Sequence, residues 1–124
     1  MPSPPPWPAQ DNPVGTGYSY VENDTLFVTT DWQQAADATT LLKALIREVP
    51  TLQGSPLFQV AESYGGKYAA TLGVAVARAV RAGELNVTLA GVALGDSWIS
   101  PEDFTVRNNH SFSWIFQCMN WDSK

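Results

Sequence analysis

The chain has 124 residues, enough for one small domain, and its 44% hydrophobic and 15% charged composition reads as globular rather than disordered. A net charge of −5, with lysines and arginines scattered along the chain, argues against a nucleic-acid partner, which calls for a basic patch. No apolar stretch approaches the ~18 residues of a membrane span, so no membrane partner is expected either.

In chain order, residues 1–10, MPSPPPWPAQ, hold five prolines and read as a disordered or polyproline leader without the apolar core of a signal peptide. Residues 11–20, DNPVGTGYSY, are punctuated by Pro13, Gly15 and Gly17 and read as a turn-rich loop. From Thr29 to Pro50 the residues Trp32, Ala35, Ala36, Thr39, Leu42, Leu45, Ile46 and Val49 recur at spacings of three and four, which predicts a helix. Thr30 and Gln33 fit a capping box at its start, and Pro50 ends it. Leu57 to Ala61 is a short predicted strand. A second helix is predicted from Gly66 to Ala82, with Tyr68, Leu72, Ala75, Val76, Ala79 and Val80 on one face and Gly83 at a left-handed C-cap. Leu89 to Leu94 is a second apolar run. The order helix, strand, helix, strand predicts an α/β protein with parallel strands, here with an incomplete sheet whose two helices each cover a face. A further strand is predicted over Ser111 to Gln117.

The segment ESYGGKY, residues 62–68, carries the candidate chemistry. An esterase-type serine works from a tight strand-to-helix turn that exposes its hydroxyl and aims backbone N–H groups at the developing oxyanion. Such a turn needs small neighbours; two residues either side of Ser63 stand Ala61 and Gly65, a small departure from G-x-S-x-G. Tyr64, next after the serine, would supply an oxyanion N–H. A serine before a helix can equally be an N-cap, and the residues alone leave both readings open.

ESYGGKY resembles the nucleophile motif of the serine carboxypeptidases, which have the α/β-hydrolase fold. DNPVGTGYSY is similar to a second segment of that family and GVALGDSWISP, residues 91–101, to a third, in the same order. The wording is nearest the retinoid-inducible serine carboxypeptidase branch. The resemblance runs from Asp11 to Asp103, which divides the chain into the leader 1–10, a partial carboxypeptidase domain 11–104 and an unmatched tail 105–124. It implies Ser63 as the acyl-forming nucleophile, Tyr64 as an oxyanion donor and Glu62 as a holder of the substrate's free C-terminal carboxylate. Two carboxyls share a hydrogen bond only if one is protonated, which fits an enzyme of acidic compartments. Asn12, Gly15, Gly17 and Tyr18 would shape the same cleft. The implied partner is a peptide C-terminus, with no cofactor and no metal; the implied location is lysosomal or secreted.

The family carries its acid and histidine far downstream of the serine. The only histidine here is His110, beyond the resemblance, where it reads as an exposed loop residue; Asp96 and Asp103 precede it. Removing the base from a serine triad costs roughly six powers of ten in turnover, so the chain alone is expected to be inactive, the product of a truncated splice form or gene model. An esterase or acyltransferase on the same fold, and a non-catalytic remnant, are the alternatives. The lone Cys118 allows no internal disulfide and reads as a buried apolar residue. Three glycosylation sequons, at Asn23, Asn86 and Asn109, lean toward a secretory origin.

Overall fold

A computed structural model describes residues 9–99 and the backbone of 117–119. Thr30 opens the first helix, α1 (Asp31–Glu48). Its hydroxyl accepts from the Gln33 N–H while the Gln33 side chain accepts from the Thr30 N–H, completing the predicted capping box. Pro50 cannot continue the helix and instead begins a short 3-10 turn, Pro50–Leu52. Strand β1 (Pro56–Glu62) follows, then helix α2 (Gly65–Arg81) and strand β2 (Thr88–Gly95). At the end of α2, Gly83 takes φ +71°, its N–H donates to the Val80 carbonyl and the Glu84 N–H donates to that of Ala79. This is a Schellman motif, and it satisfies carbonyls the last turn would otherwise orphan.

β1 and β2 run parallel, from Pro56 opposite Thr88 to Glu62 opposite Gly95, with an irregularity between Leu57 and Phe58. A third short strand, β3 (Gln117–Met119), pairs antiparallel with β2, Cys118 opposite Ala93. The α/β class and the parallel pair are as the residue pattern requires. Of the strand expected over Ser111 to Gln117, all but the last residue lies outside the described residues, as do His110, Asp103 and Asn109.

The helices do not each cover a sheet face. α2 packs on both β1 and β2, and α1 packs on α2. A helix caught between a sheet and another helix must be narrow, which is why α2 buries Ala69, Gly73, Val76, Ala77 and Ala79, more than one stripe of its surface. The core centres on Ile46, Val76, Ala79, Leu85 and Val87, with Leu42, Leu57, Leu72 and Leu89 packed around them. Each large aliphatic side chain there contributes about 1.5–3 kcal/mol. On α1 the buried face is turned from the predicted one: Gln34 and Ala38 are inside, whereas Trp32 and Ala36 are exposed. Trp32 instead lies under the Arg78 guanidinium, 5.5 Å from ring centroid to Cζ, a contact that rewards an indole kept at the surface.

β1 alternates strictly. Leu57, Gln59 and Ala61 point toward α2, and Phe58, Val60 and Glu62 point away. Among the described residues nothing covers that second face, where Phe58 is 57% and Val60 76% exposed.

Candidate active site

β1 ends at Glu62 and α2 begins at Gly65, so two residues make the turn between them. Ser63 makes it possible by adopting φ +54°, the left-handed region that a non-glycine residue enters at a cost of roughly 1–2 kcal/mol. Backbone hydrogen bonds hold it there. Its N–H donates to the Gly95 carbonyl at 3.0 Å, and its own carbonyl accepts from the N–H groups of Gly66 at 3.1 Å and Trp98 at 3.0 Å. The segment after β2 thus clamps the serine from the neighbouring strand. That segment is strained as well, with Asp96 at φ +40° and the Ser97 hydroxyl donating back to the Gly95 carbonyl. Two left-handed non-glycine residues therefore sit at the C-terminal ends of adjacent parallel strands, the usual ligand-facing end of such sheets.

The Ser63 side chain is exposed, and among the described residues its hydroxyl makes no hydrogen bond. It does not cap α2: the N-cap is Tyr64, without a side-chain cap bond. The simple capping reading of Ser63 is set aside by this geometry. The Tyr64 N–H likewise has no partner among the described residues and stands at the positive end of α2, one residue after the serine. A free hydroxyl on a strained turn, followed by a free N–H at a helix start, is one part of what acyl transfer requires, the other being a general base.

The small residues act differently from a simple spacing rule. A Cβ at Gly65 would stand 3.7 Å from the Ala61 Cβ, ordinary contact, so alanine in place of the motif's first glycine fits without distortion. The demanding position is Gly66, where a Cβ would collide with the Ser97 side chain. Gly66 lets α2 start flush against the clamp segment.

The first turns of α1 and α2 are joined by an ion pair. Lys67 Nζ lies 2.9 Å from Asp31 Oδ2, 3.5 Å from the Tyr64 hydroxyl and 5.4 Å from the Tyr64 ring centroid. Tyr68 packs edge-on against Tyr64 with centroids 5.0 Å apart. The hydrogen bond to Asp31, with that to Tyr64, holds the Lys67 ammonium above its ordinary pKa of 10.5. Burial, with the nearby Tyr64 and Asp31, raises the Tyr68 phenol. Sequence reasoning missed the Asp31–Lys67 bridge and the Gly95–Trp98 clamp. For the clamp a signal existed, since GVALGDSWISP stood out as a motif; Asp31 and Lys67 lie on different helices, and no local spacing rule pairs them.

Glu62 is exposed at the end of β1, adjacent to Ser63. The loop residues Asn12, Gly15 and Tyr18 make no hydrogen bond to this turn among the described residues. Their loop closes on itself instead: the Tyr18 N–H donates to Asp11 Oδ2 at 2.9 Å and the Ser19 hydroxyl to the Asp11 carbonyl at 2.7 Å. Gly15, at φ +88°, faces the Phe27 ring where a Cβ would collide. A cavity of about 170 Å³ opens between this loop and α1, lined by Asn12, Pro13, Ser19, Gln34 and Asp37 among others, and Ser63 is not in its wall. Among the described residues no three His, Cys, Asp or Glu side chains gather as a metal site, and no helix is long and apolar enough to cross a membrane.

The sequence profile of the serine carboxypeptidases matches residues 10–121. The chain belongs to the serine carboxypeptidase family. The match continues past Asp103, where the motif resemblance ended, into the C-terminal stretch. Serine carboxypeptidase-like 51 of Arabidopsis thaliana is 54% identical over 106 residues, which cover 84% of this chain and 22% of that protein. The retinoid-inducible serine carboxypeptidase of Homo sapiens is 44% identical over 93 residues, 75% of this chain and 21% of its own length. The venom serine carboxypeptidase of Apis mellifera is 32% identical, over 73% of this chain and 20% of its own. The chain thus spans about a fifth of the length of the curated relatives it matches.

Proposed function

We propose that Ser63 is the nucleophile of a serine-type carboxypeptidase that releases C-terminal residues from peptides. The observation that carries this reading is the left-handed, exposed Ser63 between β1 and α2, with the unpaired Tyr64 N–H beside it. In the proposed reaction the Ser63 Oγ attacks the scissile carbonyl carbon, its proton passing to a general base. The carbonyl oxygen takes up negative charge and accepts from the Tyr64 N–H; the C–N bond then breaks, the terminal amino acid leaves as the protonated amine, and water hydrolyses the acyl-enzyme. Glu62, next to the nucleophile, would hold the substrate's free C-terminal carboxylate by a shared proton, only one of the two carboxyls being ionised. Asn12, Gly15 and Tyr18 would line the approach. The location that goes with this role is the secretory pathway, either lysosomal or secreted.

The 124 residues taken alone are proposed to be inactive, because their single histidine, His110, is not assigned as the base. The test compares this chain with one extended to the full length of the relatives it matches. The longer protein should release the terminal residue of an N-blocked peptide, ignore the same peptide with a C-terminal amide, and lose about 10⁴–10⁶ in turnover in Ser63→Ala. Ready cleavage of the amide-capped peptide or of simple esters would favour an esterase or acyltransferase. Covalent labelling by a fluorophosphonate that persists in Ser63→Ala would overturn the assignment.

A further inference from the structure

Lys67 stands where its own helix does not favour it. It lies in the first turn of α2, at the positive end of the helix macrodipole, and that turn holds no acidic residue. The charge that faces it comes from the other helix: Asp31, the first residue of α1, places Oδ2 2.9 Å from the Lys67 Nζ. So held, the ammonium lies 5.4 Å from the Tyr64 ring centroid and 3.5 Å from the Tyr64 hydroxyl, while Tyr68 closes on the same ring edge-on.

The peptide between Ser63 and Tyr64 carries the N–H that the proposed reaction uses. Its carbonyl end is fixed, since the Ser63 carbonyl accepts from the Gly66 and Trp98 N–H groups. Its N–H end has no partner among the described residues, and rotation about the Tyr64 N–Cα bond would tilt that planar unit relative to the side chain. An anchored side chain restrains the tilt. We infer that Asp31 and Lys67 are a positioning pair: Asp31 holds Lys67, Lys67 holds the Tyr64 side chain, and the Tyr64 N–H is thereby kept aimed at the developing oxyanion. Neither side chain takes part in the bond changes. The inference rests on Ser63 acting as the nucleophile.

The test uses the chain extended to the full length of its relatives, with an N-blocked peptide as substrate. Lys67→Met should lower kcat about 10–100-fold through lost orientation, with KM little changed, the pattern of an interaction realised only in the transition state. Lys67→Arg, whose guanidinium can keep both contacts, should recover most of that loss. Asp31→Asn should reproduce the loss, and adding it to Lys67→Met should slow the enzyme no further, because the two act as one unit. Circular dichroism establishes that each variant is folded; if Lys67→Met is not, Asp31→Asn, which keeps the shape and removes the charge, carries the same comparison. The parent's kcat in folded Lys67→Met or Asp31→Asn, a change in KM alone, or a loss that Lys67→Arg leaves in place overturns the pair. The nucleophile reading fails at a different point: a parent that releases no terminal residue, or labelling that persists in Ser63→Ala, removes the reaction that the pair would serve.

Discussion

Ser63 is held where a side chain raises its energy, and what opposes the strain is backbone alone: the Gly95 carbonyl on one side, the Gly66 and Trp98 N–H groups on the other. Because its hydroxyl has no partner among the described residues, removing it should leave the fold as stable as before. Removing the Cβ as well should relieve the left-handed backbone. We therefore expect Ser63→Ala to unfold at the same denaturant concentration as the parent, and Ser63→Gly to be more stable by about 1 kcal/mol. Chemical denaturation of the three proteins checks this, and equal stability of the glycine and alanine variants would show that the turn stores no strain. The residue scale is also where the sequence was most legible. Small side chains around a serine between an apolar run and a helix pattern gave the turn, yet the reason for Gly66 was hidden, because its collision partner Ser97 lies 31 positions away along the chain.

Element boundaries were legible where the signal is local. The capping box at Thr30, the stop at Pro50 and the left-handed Gly83 depend on neighbours within a few residues, and each stands where the spacing put it. What lay beyond reach was which face each element buries, because that depends on what packs against it. Gln34, 1% exposed, and Gln59, 9% exposed, occupy interior positions that a polarity pattern assigns to solvent, and their carboxamides find no partner among the described residues. Gln59 is tolerated beside Gly73, the one position on α2 where a missing side chain makes room for it. The contact between the two helix N-termini makes a prediction of its own. The Lys67 pKa is raised in the folded chain, so its contribution to stability is fully present below about 10.5 and is lost as pH rises through the higher folded value. Tyr68, also raised, acts in the same direction: above pH 10 the unfolded phenol ionises first and draws the chain toward unfolding. Lys67→Met should therefore cost stability at pH 8, and that difference from the parent should be smaller at pH 11. Denaturation curves at the two pH values measure it, and a deficit of the same size at both would mean that the charge on Lys67 is not what joins the helices.

For the whole molecule, the decisive fact is that both helices stack on one side. α2 lies on the sheet and α1 lies on α2, leaving Phe58 and Val60 facing outward from β1. An α/β layer arrangement buries a sheet on both faces, and a residue pattern of two helices and two strands is silent on whether they share a side. β1 also has no partner on its outer edge among the described residues. An apolar face joined to an unpaired strand edge is a template for association, so the 124-residue chain in isolation should self-associate as its concentration rises. Placing charge on that face opposes the contact without touching the core, since Phe58 and Val60 point away from α2. We expect Val60→Lys, and more strongly Phe58→Lys with Val60→Lys, to shift the chain toward monomer in sedimentation across a concentration series, with its far-ultraviolet circular dichroism unchanged. If the double variant associates as the parent does, the open face of β1 is not the contact, and the edge of the sheet alone would have to account for it.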